Sequence, residues 1–443
     1  MTNSGGTSGC VVAARLAENP EIRELLLEAV QYNKDLENVH MTGGWSNNFH
    51  AEKDWNFVTP SMAGVDNREV KLSRGRFLGW SGEEFFKYMR KAETCHSKPW
   101  FNADKQSYGY SGPLHTEPHD LAPISNLLLD SFVSQGFPLN HNIFSTGDTV
   151  YKGIRTTGAD FVTNKNARGN ITVQTNTTVD KVIFTKQDRE LRTCGIATKT
   201  FDSLSKIYHA RKEIIISGGV YCGSAILLRS VDTPRVRKNL INHLIVFMFY
   251  EADKPGLTND YYQYDKFPID NKYAFSMIAE LFAPKSRGSE RLKSADPIEN
   301  PVVDCNYLAD PVDVLVLSKA CRFGNEIVMN GAGTKDIIKG SWPPNLSLHT
   351  YKTREEWVPY IEDATTRYHA AGTYDMGKKD DPTAILDEKL QVRGVVGLLV
   401  ADCSVMPALH GGHTQMPAYG IGEKCADLIK ETSRLTGNIY SRI

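Results

Sequence analysis

Two histidines near the C-terminus sit where chemistry is conceivable. His369 lies in Thr366-Arg367-Tyr368-His369-Ala370-Ala371-Gly372-Thr373, and His413 in Gly411-Gly412-His413-Thr414-Gln415. Imidazole titrates near neutrality, so a neutral histidine is a suitable general base. A second imidazole facing the same substrate oxygen can hold it as charge develops. Such a pair suits oxidation of an alcohol, in which a hydroxyl proton must leave as hydride departs from carbon. A lone histidine is more often a satisfied core or loop residue, so the surrounding sequence has to decide between the readings.

A second constellation is a glycine-rich turn. Gly6 and Gly9 occupy the second and third glycine positions of GxGxxG, with Ser4 in the first and Gly5 beside it. Small residues Cys10, Ala13, Ala14 and Ala17 then recur at helical spacing. The run Arg23 to Glu28 reads as a buried parallel strand ending in an acid. Glu28 lies 19 residues past Gly9, where a carboxylate would accept hydrogen bonds from adenosine ribose hydroxyls. A broken GxGxxG alone is balanced between a phosphate cradle and an ordinary turn. The acid at this distance tips it toward a nucleotide. Only three residues precede Ser4, so the strand that normally leads into such a turn reads as missing.

Strand-like stretches follow at 170–175, 179–184 and 212–219, the last ending in a glycine pair before a helix-like segment. Leu244 to Phe249 is an apolar run of strand length. From about 260 to 385 the chain is more polar and mixed. Gly397 to Asp402 reads as a last strand, and roughly 419–430 as a helix. Dinucleotide-type segments at both ends predict an α/β (α+β overall) fold. A Rossmann-like FAD-binding domain would be discontinuous, with an inserted substrate domain containing an antiparallel sheet.

Composition is ordinary for a globular protein: 443 residues, 41% hydrophobic and 23% charged. A net charge of −1 and the absence of a basic run argue against a nucleic-acid partner. The apolar runs are far short of a membrane span. Eight scattered cysteines without CxxC or a tight Cys/His cluster predict no metal and buried free thiols, with one or two disulfides left open. No signal peptide is legible at the N-terminus, which makes cytoplasmic the default expectation.

The segments 366–377 and 400–430 closely resemble the C-terminal signature of the glucose–methanol–choline (GMC) oxidoreductases, which reads YHxxGTxxMG, then V-x-D-x-S-x-MP, then a His/Asn position and a helix like GEKCADLI. Gly6-Thr7-Ser8-Gly9-Cys10 with Leu26 to Ala29 looks like that family's FAD turn. Asp54-Trp55 and Arg74 to Gly79 look like the segment leading to the flavin. Asn170 to Phe184, Lys212 to Gly219, Lys285 to Gly288 and Asp296-Pro297 are also similar.

The resemblance implies an FAD-dependent enzyme that oxidises a small alcohol to a carbonyl and passes electrons to O2 or another acceptor. Primary, aryl or secondary-metabolite alcohols fit its closeness to fungal-type members. It implies His369 as general base and His413 as alkoxide stabiliser. Gly5, Gly6, Gly9 and Glu28 would hold the ADP half of FAD, Val179 the adenine, and Asp402 the ribityl or pyrophosphate. His410 would be loop structure. It also implies an N-terminal FAD-binding region over 1–250 and a C-terminal region over 280–435.

The chain departs from the family pattern after Gly79, after Ser230 and beyond Asp260. Stretches absent from this sequence, a shortened or mis-spliced gene product, and a real protein with weakened FAD binding all stand as explanations. The glycine-rich stretch expected after Gly79 is absent, and with it any tethering residue, so the expectation is non-covalent FAD. A non-redox relative (cyclase or lyase) and an inactive, FAD-poor paralogue are the alternative functions.

Overall fold

A computed structural model describes residues 1–32, 48–76, 86–102, 108–118, 122–138, 150–151, 154–155, 158–163, 169–187, 190–200, 205–230, 238–253 and 273–435. The positions following Gly79, Ser230 and Asp260, where the chain departs from the family pattern, lie outside the described residues.

The nucleotide side is built on a parallel sheet. Glu24–Leu27 pairs with Ile171–Gln174 on one side, and Ile214–Ile216 pairs with Leu398–Val400 further along. These short apolar runs are buried, with Leu26, Leu27, Ile214, Ile216, Leu398 and Val400 all at 0% exposure. That is why they read as continuous rather than alternating. Each fully buried Leu or Ile contributes roughly 1.5–3 kcal/mol.

Among the described residues no strand precedes the first helix, as expected, but the slot between the two pairs is bridged by the residues before it. Thr2 bridges Leu26 and Ile215, both in parallel sense. Its N–H donates to the Leu25 carbonyl at 3.0 Å, and its carbonyl accepts from Leu27 at 2.9 Å. On the other side the Asn3 N–H donates to the Ile215 carbonyl at 3.1 Å. Residues 1–3 therefore serve as the middle rung. A rung needs backbone N–H and C=O groups rather than an apolar run. The polar Thr2 is tolerated at 0% exposure because its hydroxyl donates to Glu24 Oε1 at 2.8 Å.

Helices Thr7–Leu16, Gly219–Ser230 and Gln415–Leu435 cover this sheet. Val12, Leu16, Ile226, Leu227, Ile421 and Cys425 meet the strand residues in one core. The last helix is longer than the 419–430 read from the sequence. It is clamped to the first: Ser8 Oγ donates to the Ala418 carbonyl at 2.5 Å, and Arg15 meets the fully buried Glu423 at 2.7 Å. An antiparallel meander, Thr178–Gln187, Glu190–Lys199 and Ser205–His209, carries Val179 back toward the sheet.

A second core surrounds an antiparallel sheet centred on Leu244–Ala252. It pairs along its full length with Tyr273–Leu281, and its other edge takes Ile338–Ser341 and Thr365–Thr366. Helix Pro311–Asn330 packs on this sheet, its N-terminus capped by Asp310, which accepts from the Val312 N–H. Two strands of the sheet begin before residue 280. All eight cysteines are free thiols, which settles the question of disulfides.

Candidate active site and cofactor cleft

A cleft runs between the two cores. At one end it is lined by Glu28, Ala29, Thr177, Thr178 and Val179, and at the other by Tyr368, Ala370, Cys403 and Thr414. Ser4, Gly6, Thr7 and Ser8 enter from the start of the first helix, and Gly218 and Gly219 from the start of another. Two helix N-termini thus turn their positive dipole ends toward the same space.

Close packing of the turn explains its glycine spacing. A Cβ on Gly9 would stand 2.0 Å from the Ser4 carbonyl oxygen and 2.5 Å from Ser217 Oγ. Gly9 and Gly5 do not themselves line the cleft. Gly9 lets the strand and helix approach, and the Gly5 N–H donates to Glu28 Oε2 at 2.8 Å. Glu28 Oε1 accepts from Val30 N–H at 3.2 Å, so the carboxylate is oriented from two sides. Burial raises its pKa, against the opposing pull of the Gly5, Val30 and Ala29 N–H groups. Asp402 lines the cleft and caps a helix, accepting from the Gly219 N–H at 2.9 Å and the Ser404 N–H at 2.9 Å.

Beyond the expected residues, Asn3, Thr7, Arg74 and Arg229 also line the cleft. Asn3 Nδ2 and Thr7 Oγ1 are buried there without a hydrogen-bond partner. Unsatisfied buried groups are costly, and their place beside two helix N-termini fits an anionic ligand with many acceptor oxygens. Trp55, Arg74 and Gly75 bring the segment around the family-like Asp54-Trp55 to the same wall.

At the far end stand the two histidines. The imidazoles are not among the lining groups, but Tyr368 and Ala370 flank His369 in sequence, and Thr414 follows His413. His369 Nε2 lies 3.3 Å from His413 Nδ1, with ring centroids 4.5 Å apart. His369 is 5% exposed, whereas His413 is exposed. The turn that delivers His369 is strained: Tyr368 has φ of 66°, in the left-handed region. It is held there by its N–H to Thr366 Oγ1 at 2.8 Å, by Arg74 Nη1 donating to its carbonyl, and by the His369 N–H to Asn242 Oδ1 at 2.9 Å.

The sequence reading missed what surrounds the pair. His243 Nδ1 lies 2.8 Å from His369 Nδ1, and Glu280 Oε1 lies 3.4 Å from the first and 3.7 Å from the second. Arg367 Nη2 lies 3.1 Å from His413 Nε2, and Arg367 Nε 3.7 Å from Glu280 Oε2. One faint signal existed: Asn242-His243 is a polar pair opening an apolar strand. Nothing in the spacing of 243, 280 and 369 connects them. His410 is half-buried, its ring 6.4 Å from that of His243.

Arg367 orders this chain of nitrogens. Guanidinium only donates, so His413 Nε2 accepts and the His413 proton sits on Nδ1. That Nδ1–H then points at His369 Nε2, which must be a lone pair. The His369 proton is left on Nδ1, facing His243 and Glu280. These tautomers are assigned from the network. Burial first, then His413 and His243, holds the His369 pKa far below the usual imidazole value. Burial likewise pushes His243 down to about 4. With both rings neutral, their contacts with Glu280 are dipolar rather than ionic, and burial raises the Glu280 pKa while Arg367 opposes it.

Residues 73–245 and 284–422 match the two family models described as GMC oxidoreductase. The chain belongs to the GMC oxidoreductase family. Members are FAD-dependent, and the cleft's orphaned donors and paired helix N-termini suit that cofactor. This GMC oxidoreductase is 26% identical over 528 residues to an uncharacterised GMC-type oxidoreductase of Mycobacterium tuberculosis, covering 96% of this chain and 98% of that protein. It is 26% identical to choline oxidase of Arthrobacter globiformis, covering 96% and 93%. Since the first alignment exceeds the chain's 443 residues, stretches of that relative have no counterpart here.

Solved structures share the fold. A formate oxidase superimposes with a TM-score of 0.86 at 23% identity, covering 98% of both chains. Pyridoxine 4-oxidase from Mesorbium loti gives 0.82 at 21%, covering 97% of this chain and 98% of that one. The expected non-covalent attachment of FAD bears on residues after Gly79, outside the described ones. Among the described residues, no helix is long and apolar enough to cross a membrane.

Proposed function

We propose that this GMC oxidoreductase oxidises the CH–OH group of a small alcohol to a carbonyl. The observation that carries the reading is the directed pair: His369 Nε2 as a buried lone pair and His413 Nδ1–H facing it across 3.3 Å. One substrate oxygen can lie within reach of both. FAD, when bound, supplies the hydride acceptor. His369 Nε2 takes the hydroxyl proton, and His413 Nδ1–H donates to the oxygen as negative charge builds. Arg367 keeps His413 in its donating tautomer. Glu28, Thr7 and Asn3 would hold the cofactor's ribose and phosphate oxygens, Val179 would cover its adenine, and Asp402 would lie near the ribityl or pyrophosphate. Relatives named choline oxidase and oxygen-dependent choline dehydrogenase favour an alcohol substrate and O2 or another acceptor.

The test is anaerobic. Purified protein with bound FAD is mixed with a panel of small aliphatic and aryl alcohols, and bleaching of the flavin band is followed. Reduction by at least one alcohol is expected. The variant His369→Ala is expected to keep the bound-flavin spectrum and to slow bleaching by about 10²–10⁴-fold, the range of a general base. Bound flavin that no alcohol reduces would sink the reading in favour of non-redox chemistry.

A further inference from the structure

We propose that His243, Glu280 and His369 form a binding site for a divalent transition-metal ion of the zinc class, whose occupancy disarms the base. The three ligand atoms are His243 Nδ1, His369 Nδ1 and Glu280 Oε1, separated by 2.8, 3.4 and 3.7 Å. A triangle of these sides has points just off its plane that lie about 2 Å from every corner, the bond length of zinc to imidazole nitrogen or carboxylate oxygen. Two imidazoles and one carboxylate form a ligand set that zinc uses, with a fourth position open.

The surroundings support a cation rather than an ordinary hydrogen-bonded cluster. His243 is 0% exposed and His369 5%. Glu280 Oε1 is buried and makes no hydrogen bond, although both rings are near it. In the metal-free state the one proton assigned inside the triangle, on His369 Nδ1, meets His243 Nδ1 at 2.8 Å and leaves Glu280 Oε1 without a hydrogen bond. The ligands come from three separate places: the start of Leu244–Ala252, the end of Tyr273–Leu281 and the turn after Thr365–Thr366. Register between the first two strands, with Ile245 opposite Glu280, fixes the carboxylate beside His243.

The functional consequence rests on the role of His369 proposed above, while the site itself does not. In the metal-free state the His369 proton sits on Nδ1 and the Nε2 lone pair is available. A metal ion takes the Nδ1 lone pair, so the neutral ring must carry its proton on Nε2. The same ring then faces the alcohol with a donor instead of a base, and it also meets the His413 Nδ1–H head on. No bond to carbon and no electron transfer is involved: one proton changes nitrogen and one coordinate bond forms.

The experiment uses the full chain with bound FAD, stripped with EDTA and dialysed against buffered Zn²⁺. Equilibrium dialysis is expected to find one tightly held ion per chain. Glu280→Gln, which preserves shape, and His243→Asn are each expected to weaken uptake at least about tenfold, since even residues that only orient a ligand cost 10–100-fold. Flavin absorbance and melting temperature report folding of each variant. X-ray absorption at the zinc edge should give two nitrogen ligands and one protein oxygen near 2 Å. Absence of stoichiometric uptake, or an affinity unchanged from the parent protein in both variants, overturns the site.

Anaerobic bleaching by an alcohol should slow in proportion to occupancy and recover with EDTA. Residue-dependent uptake with unchanged bleaching overturns the switch. Flavin that no alcohol reduces, beside intact zinc uptake, condemns the proposed oxidation and leaves the site standing.

Discussion

Arg367 sets the polarity of the whole nitrogen chain, yet it touches neither His369 nor the cleft wall. Arg367→Met removes the donor that pins His413 Nε2 as an acceptor. His413 Nε2 then loses that donor, and its Nδ1–H is less firmly fixed. Losing one charge-assisted hydrogen bond costs about 1.5–3 kcal/mol, so flavin reduction by alcohol should fall by about 10–100-fold. Stopped-flow absorbance measures this, and the flavin spectrum should be unaltered. Glu28 makes a pH prediction. In its proposed role the ionised form would accept from ribose hydroxyls, and burial has raised its pKa above the ordinary carboxylate value. FAD affinity should therefore weaken as pH falls, beginning above the range where an exposed glutamate titrates. Fluorescence titration of the flavin-free protein across pH checks the sign. Glu28→Gln should bind FAD more weakly at neutral pH and lose that dependence.

At the scale of elements, the turn between Thr365–Thr366 and Gly372 delivers His369, the proposed base. Gly372 has φ of 91°, and a Cβ there would lie 2.3 Å from the Asn239 carbonyl oxygen. Gly372→Ala should destabilise the protein by about 2 kcal/mol or more, read as a lower urea midpoint. The Gly-Thr of this turn was legible in the sequence together with His369 because the whole motif is local. The parallel strands were legible for the same reason: three consecutive isoleucines, or Leu25 to Leu27, announce a strand buried on both faces. Thr2 was not, because a middle rung three residues long has no pattern to detect. Nor were His243, Glu280 and Arg367 as neighbours of the His369–His413 pair. Their proximity comes from antiparallel register and a long return of the chain, which a window of sequence does not contain. Gly5 shows the converse: it was read beside the motif as part of the ADP cradle, but its N–H is used on Glu28 rather than on the cleft.

In the whole molecule, the cleft separates two hydrophobic cores, and residues from both sides line it: Ile226 and Val179 from one, Phe57 and Tyr221 from the other. A ligand in that position binds the folded state across the seam. At a free concentration 100 times its Kd it stabilises by about 2.7 kcal/mol. Flavin-free protein should therefore melt several degrees below the loaded form, with the difference growing as FAD is added. Differential scanning calorimetry measures it, and a melting temperature indifferent to FAD would contradict this placement of the cofactor.

The clamp between the first and last helices bears on when the cofactor is acquired. The turn proposed to hold the phosphates spans Ser4 to Gly9, but Asp402, Thr414 and Ala418, which line the same cleft, and the helix that holds Ser8 and Arg15 come much later in the sequence. At about 5–20 residues per second, the first turn waits tens of seconds for the segments that complete it. With the cofactor placed as proposed, flavin loading would follow synthesis of these segments, because a chain stopped before residue 400 would lack Asp402, Cys403, Thr414 and Ala418 of the cleft wall and the helix that clamps Ser8 and Arg15.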